Sequence, residues 1–350
     1  MSSLFVFVGL DYHQDSIRVC VMNEEGEPLV NRDVANDPLA VQDLVSQFGY
    51  PRGIAIEACC GAADFAHQLA EQAEWTVKLA HPGYVRRLKQ SPDKSDHDDA
   101  ALLADLVRVD YLPEVWLADH KTRELRRLVC YRRQVQSALK DLKLQLRSLL
   151  REERVGGAPA NPWTQAWLEW LKNSAPLSST ARWIVDRQLP RLVQLGEELK
   201  QIEQELKRQT SGDPLTEKLQ AQAGVGLVTA VTLRAEIGTQ NRFRTGKQLA
   251  RFCGITPCNA SSGKRQADAG LVKAGSPELR AVLLQVAHVV SRHVPKWKAL
   301  KDRLRQTKPG NVATAAVANR WVRWLFHQLQ VAPTTDHELS KVPEQDVLVA

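Results

Sequence analysis

The sequence predicts an α/β domain followed by a mostly helical remainder, and three observations predict it. Within residues 1–108 the apolar runs read in the order three strands, helix, strand, helix, strand, helix, which suits a mixed sheet with helices on its faces. From Leu125 onward apolar residues recur at alternating intervals of three and four, the seam of a long helix. Beyond 216 the patterns are helical again. A chain of 350 residues, 43% apolar and 25% charged, has room for about two domains of roughly 150 residues and a sizeable core.

The elements follow in order. LFVFVGL at 4–10 reads as a buried strand. SIRVCVM at 16–22 and PLVNRDV at 28–34 flank Glu24-Glu25-Gly26-Glu27, a hairpin signal. Residues 38–48 read as a helix, GIAIEA at 53–58 as a strand, 62–73 as a helix, WTVKLA at 75–80 as a strand, and 96–108 (DHDDAALLADLVR) as a helix.

The central segment changes character. Leu125, Leu128, Arg132, Val135, Leu139, Leu142, Leu146 and Leu149 form a heptad seam, and Leu192, Leu195, Leu199, Ile202 and Leu206 form a second. Gly156, Gly157, Pro159 and Pro162 break helix between them. Two long helices so joined make an antiparallel coiled-coil arm, or pair with another chain. LQAQAGVGLVTAVTLRAEIG at 219–238 reads either as a helix-hairpin-helix with Gly224 and Gly226 in its turn or as a plain helical turn. Helices follow at 245–253, 276–292, 295–306 and 311–330, and 331–350 reads as a loose tail. The predicted organisation is 1–115, 116–215 for the arm, 216–330, and the tail.

Charge is unevenly distributed. Residues 1–119 hold 9 Lys/Arg against 20 Asp/Glu, whereas 120–154 hold 11 against 4 and 216–330 hold 19 against 5. Basic segments of this strength point to a polyanion, with nucleic acid first. Arg126, Arg127, Arg132 and Arg133 give the first arm helix a cationic surface, and Lys264, Arg265, Lys273 and Arg280 cluster further on. Either set serves a phosphate backbone or forms an ordinary solvated face.

The acidic third needs its own explanation. Asp11 ends the first strand and Glu57 the GIAIEA strand, while Asp96 and Asp99 share one face at the start of a helix. Asp98 falls on another face, and Asp93 precedes the helix. Converging carboxylates are costly unless a cation neutralises them. Mg²⁺ (or Mn²⁺) prefers such oxygens and keeps positions for phosphate oxygens. Taken singly, each acid is equally a surface carboxylate or a helix cap.

Several classes are excluded. Six cysteines, with no Cys-x-x-Cys pair, make neither a disulfide scaffold nor a four-ligand zinc site, and reduced thiols fit a cytoplasmic protein. The N-terminus has no basic n-region of a signal peptide, and no run of 18 apolar residues would span a membrane.

DYHQ after an apolar strand, IEACCG, and KSDHDDAALLADL resemble the DEDD transposases of the IS110 family of insertion sequences. AGVGLVTAVTLRAEIG and RFRTGKQLARFCGITPCNASSGKRQADAGLVKAGSPELRAVL resemble the C-terminal domain of the same family. The resemblance covers about 1–330. It implies an RNase H-like (RuvC-like) N-terminal domain with the metal-binding tetrad Asp11, Glu57, Asp96 and Asp99. It further implies a bridge-RNA-guided recombinase, in which a non-coding RNA pairs with donor and target DNA and a C-terminal serine forms a phosphoserine intermediate. That serine matches Ser262. Ser261 adjoins it, where the family more often has an acid. Ala223 stands where a proline usually opens the hairpin, and Cys59-Cys60 where Thr-Gly is common. Other expectations stay open: a protein-directed invertase or junction-resolving nuclease on the same core, and a non-catalytic nucleic-acid scaffold. A homo-oligomer, dimer or tetramer, is expected through the arm, with nucleoid association.

Overall fold

The computed structural model describes residues 5–88, 96–259, 268–272 and 275–330, with Asp96 described through its backbone. The chain divides into two compact units, 1–120 and 121–350, so the arm and the C-terminal segment fall together in the second. The expected tail, Asp93, Ser261, Ser262, Lys264, Arg265 and Lys273 lie outside the described residues.

The first unit is built on one six-stranded sheet. In chain order its elements are β1 (Phe5–Tyr12), β2 (Ser16–Met22), β3 (Pro28–Ala35), α1 (Pro38–Ser46), β4 (Tyr50–Glu57), α2 (Ala62–Ala73), β5 (Val77–Ala80), α3 (Pro82–Leu88), α4 (Asp96–Arg108) and β6 (Glu114–Val115). The strand order is β3-β2-β1-β4-β5-β6. β1, β4 and β5 run parallel, while β2, β3 and β6 pair antiparallel to their neighbours. The expected mixed sheet with helices on both faces is what forms. β6 and α3 are too short for periodicity to show.

Strand alternation assigns the two faces. Val6, Val8, Leu10, Ile54 and Ile56 pack with residues of α1 and α2 such as Val41, Leu44, Phe65 and Leu69. Phe7, Ala55 and Ala80 face the other way, against Leu103, Leu106 and Val107 of α4. Cys20 and Met22 of β2 meet Ala100 and Ala104 on that same face. Each fully buried Leu or Ile contributes about 1.5–3 kcal/mol, so a one-residue register slip in β1 or β4 would be heavily penalised. Local chemistry sets the helix starts: Asp37 caps α1 by accepting from the Leu39 amide (3.2 Å), with Pro38 at the first position.

The second unit is helical. α5 (His120–Glu152), α6 (Gln165–Asn173) and α7 (Ser179–Gln209) form the arm, with α5 about 50 Å long at 1.5 Å per residue. Leu125 clusters with Ile202 and Leu206 near one end, and Leu142 and Leu146 with Val185 and Leu192 near the other. The helices are therefore antiparallel, and both seams are buried within one chain. α6, on a loop that the prolines and glycines suggested would be irregular, adds Trp167 and Leu171 to the core.

After the arm come α8 (Pro214–Gln220), α9 (Leu227–Ile237), α10 (Gly246–Phe252), the β7 (Pro257–Asn259)–β8 (Asp268–Leu271) hairpin, α11 (Pro277–His293), α12 (Pro295–Arg305) and α13 (Gly310–Gln330). α8 and α9 are joined by a short turn, in which Gly224 (φ 80°) rests on Val289 and Val290 of α11. Trp321, Leu283, Leu325 and Leu233 centre the core. Among the described residues, no helix is long and apolar enough to cross a membrane.

Candidate active site

Parity along the strands decides where the acids point. Phe7, Gly9 and Asp11 alternate onto the α4 face, as do Gly53, Ala55 and Glu57. Leu10 pairs with Ile56 in the parallel register, so Asp11 and Glu57 are neighbours at the same strand ends, with strands about 4.8 Å apart. α4 lies across this face: Val107 meets Gly53, Ala100 and Ala104 meet Gly9, and the helix start runs on toward Asp11. Asp96 and Asp99 belong to that first turn. Asp99 is 8% exposed, whereas the Asp98 side chain is 72% exposed and lies beside His97. The structure thus brings Asp11, Glu57 and the Asp96–Asp99 turn to one end of one face.

Neighbouring groups hold this end. His13 Nε2 lies 3.2 Å from Asp11 Oδ2, and Asp11 is 15% exposed. Asn31 of β3 donates to the His97 carbonyl (2.9 Å), tying the first turn of α4 to the sheet. Arg18 is the cross-strand partner of Asp11 on the same face and donates to Asp33 of β3 at 3.0 Å. Gly61, which follows Glu57 and opens α2, has φ 95°. A β-carbon there would stand 2.4 Å from the Tyr12 hydroxyl, so only glycine lets the chain turn away from the acids. The Cys59 thiol is raised above its ordinary value by burial, with the charges of Glu57 and Asp11 adding to the rise.

His13 and Arg18 were not singled out by sequence reasoning. The β1–β2 pairing is symmetric about the Gln14–Asp15 bond, and counting outward from that bond pairs Asp11 with Arg18.

The donor set suits a hard divalent cation, since all four acids offer oxygen. Among the described residues, no three His, Cys, Asp or Glu side chains are gathered closely enough to ligate an ion by themselves.

The predicted basic residues separate into two groups. Arg126 donates to the carbonyls of Ala235 (2.8 Å) and Glu236 (3.3 Å), capping the C-terminus of α9. Arg132 pairs with Glu203 across the arm (2.6 Å), and Arg133 pairs with Glu278. Arg280 donates to the carbonyls of Val272 (2.9 Å), Gly275 (3.3 Å) and Gly254 (3.4 Å). These four have internal partners. Arg127 lies on the arm helix with contacts of its own. Lys264, Arg265 and Lys273 belong to the undescribed segments around Ser262.

Burial around the α9 C-terminus shifts several groups. Glu236 is raised by burial against the opposing pull of Arg126, Arg133 and Arg242, and Arg242 is pushed down by burial to about 10. The hairpin flanking Ser262 is anchored at its base by Arg280 and by Asn319, which donates to the Ile255 carbonyl (3.2 Å).

Known proteins are similar to this chain in sequence. Residues 8–154 match a family model for the DEDD transposases of IS110 elements, and residues 216–302 match one for the transposases of the IS116/IS110/IS902 family. A probable family 20 transposase of Pseudomonas aeruginosa is 26% identical over 326 residues, covering 91% of this chain and 95% of its own length. The transposase of insertion sequence IS1111A from Coxiella burnetii is 24% identical over 323 residues, 89% of this chain and 86% of that protein. The IS1328 transposase of Yersinia enterocolitica is 24% identical over 327 residues, 90% and 94%.

Proposed function

Because the chain belongs to the IS116/IS110/IS902 family of transposases, we propose that it cuts and rejoins donor and target DNA through a phosphoserine on Ser262, with guidance from a non-coding bridge RNA. The observation that carries the catalytic reading is the pairing of Asp11 and Glu57 on the α4 face, beneath the turn that bears Asp96 and Asp99. These four residues would hold Mg²⁺ or Mn²⁺. A divalent ion bound there supplies Lewis-acid polarisation of a phosphate oxygen.

The remaining chemistry belongs to the chain. Asp99, nearly buried, keeps its carboxylate fixed. His13 orients Asp11. The Ser262 Oγ forms a bond to phosphorus as the bond to the leaving strand breaks, and the serine proton ends on that strand's released hydroxyl. Attack by the released hydroxyl of another strand reverses the step and rejoins the DNA. Lys264, Arg265 and Lys273 supply phosphate contacts beside the serine. Arg280 acts at the hairpin base.

A homo-oligomer is part of this reading. Because both leucine seams are consumed inside the arm, the surface for it is elsewhere on the arm, where Leu144 (52%), Trp183 (61%) and Val193 (62%) are exposed. Light scattering that finds only a monomer, free and with DNA and RNA bound, overturns that part.

The deciding experiment traps the intermediate. Purified protein, RNA transcribed from the flanks of its gene, Mg²⁺ and a nicked suicide DNA substrate should yield a covalent protein–DNA adduct, mapped by mass spectrometry to Ser262. Ser262→Ala should abolish the adduct while leaving RNA binding intact. An adduct on Ser261 moves the assignment by one residue. Strand exchange without any adduct overturns the serine mechanism, and full activity without RNA overturns guidance.

A further inference from the structure

The arm ends in a cavity of about 480 Å³ that the acid site and the serine do not use. Arg147, Arg151, Arg154, Val155, Trp167 and Trp170 line it. It lies within the roughly 300–1,000 Å³ range of small-molecule pockets, large enough for one base with its phosphate. The three arginines come from the last turns of α5 and the loop after it. All three are exposed, and among the described residues none has a carboxylate within ion-pair distance.

The neighbouring acids are engaged elsewhere. Glu152 accepts from Ser148 (3.3 Å), and Glu153 accepts from the amide and hydroxyl of Ser178 (both 2.9 Å). The tip's other inward arginine, Arg182, is spent on the carbonyls of Leu171, Lys172 and Ala175 (2.6–2.7 Å), which fixes the end of α6. The free cationic charge at the tip therefore faces the cavity.

The apolar side is aromatic. Trp163, Trp167 and Trp170 form a chain with ring centroids 4.5 and 5.9 Å apart, and the Lys143 ammonium lies 5.3 Å from the Trp163 ring centre. The loop that joins these parts is held in an unusual backbone state. Arg154 (φ 52°) and Trp163 (φ 71°) are both left-handed without being glycine, and for a bulky side chain that conformation is strained. Strain of this kind, about 1–3 kcal/mol per residue, persists where surroundings over-determine it, and it collects at binding sites.

Unpaired arginines above an indole platform are the chemistry that binds single-stranded nucleic acid: guanidinium groups take the phosphates while unpaired bases stack on the rings. We propose that the arm tip is a single-strand subsite, holding an unpaired nucleotide of RNA or DNA against Trp170 with its phosphates on Arg151 and Arg154. A duplex, with its bases stacked inward, cannot use the indoles. The proposal depends on neither Ser262 nor the acid site, and its readout is binding without strand exchange.

The test uses full-length protein and three labelled probes of one sequence: 15-nucleotide single-stranded RNA, the matching single-stranded DNA, and the 15-base-pair DNA duplex. In Arg151→Glu/Arg154→Glu, single-strand affinity should fall at least about tenfold. The slope of log K against log salt should shrink by about 1.4, for two lost phosphate contacts at roughly 0.7 each. Duplex affinity should stay within about twofold. Trp170→Leu, which keeps an apolar side chain in the core, should cost about tenfold on single strands with no change in salt slope. Loss confined to the RNA probe assigns the subsite to RNA, and loss on both single strands assigns it to either. Unchanged single-strand binding in either variant overturns the proposal, as does an equal loss on the duplex. Poly-glutamate that binds wild type and loses affinity in the arginine variant more than the single strands do would make the ligand an acidic polypeptide instead. Thermal melts matching wild type confirm that the variants fold.

Discussion

Gly9 sits directly beneath Ala100: a β-carbon built on Gly9 would stand 1.9 Å from the Ala100 carbonyl oxygen and 2.5 Å from the Ala104 nitrogen. The close approach of α4 to β1 is what carries Asp99 down to the strand ends where Asp11 and Glu57 emerge. Gly9→Val should therefore destabilise the first unit by at least about 3 kcal/mol, since backbone on backbone cannot be relieved by a rotamer change. Urea unfolding followed by tryptophan fluorescence checks this, and a variant within about 1 kcal/mol of wild type would show that α4 can lift freely.

The acids themselves give the second prediction. Asp11→Asn, Glu57→Gln, Asp96→Asn and Asp99→Asn each keep shape and remove charge. Each should lower strand exchange by at least about a hundredfold, the scale of losing one preorganised electrostatic contact in a transition state. RNA binding, measured by filter retention, should stay within about twofold. Asp98→Asn is the control on the exposed side of the same turn and should behave as wild type.

Two buried thiols predict how the protein responds to alkali. Burial pushes Cys20 up to about 11 and Cys253 up to about 12, from the ordinary 9.0. The thiolate is the form that burial excludes. Above pH 9 the unfolded chain loses a proton that the native one keeps, so stability falls as pH rises toward the native value. Each thiol steepens the fall by up to about 1.4 kcal/mol per pH unit. Cys253→Ala should flatten the pH 9–11 slope of the second unit in urea titrations. An identical slope in variant and wild type would contradict the assignment.

Arg126 gives the fourth prediction. Its guanidinium spans two carbonyls at the end of α9, and lysine cannot reproduce that fork. Arg126→Lys should destabilise the second unit by about 1–3 kcal/mol, the cost of leaving buried acceptors unmade. The salt dependence of DNA binding should not change, because a residue facing carbonyls releases no counterions. A salt slope reduced by about one would return Arg126 to the phosphate-contacting set.

These residues mark where the sequence was legible. Strand alternation around Asp11 and Glu57 and the three-residue spacing of Asp96 and Asp99 are local, so the candidate site could be read before the fold was seen. The heptad seams announced the arm but left its partner open; Leu125 against Leu206 and Leu146 against Val185 place the partner in the same chain. Arg126, Arg132, Arg133 and Arg280 look alike in sequence to any phosphate-binding arginine. Their partners are backbone carbonyls and carboxylates, the farthest of them Glu278 for Arg133, well over a hundred positions along the chain, and no periodicity reports such pairings. β6, α3 and the β7–β8 hairpin escaped because each is short and formed by tertiary pairing.

The Arg280 guanidinium has a consequence for how this chain can diversify. By gathering carbonyls at Gly254 on one side and at Val272 and Gly275 on the other, it closes both ends of one segment at a single point in the helical body. A segment tied off in this way can gain or lose residues at a small entropic cost, because closing a loop twice as long costs only about 0.6 kcal/mol more. Length, and with it reach, becomes a quantity that mutation can adjust while the body beneath stays as it is. Related chains should differ in the number of residues between the two tie points far more than in the arginine that ties them.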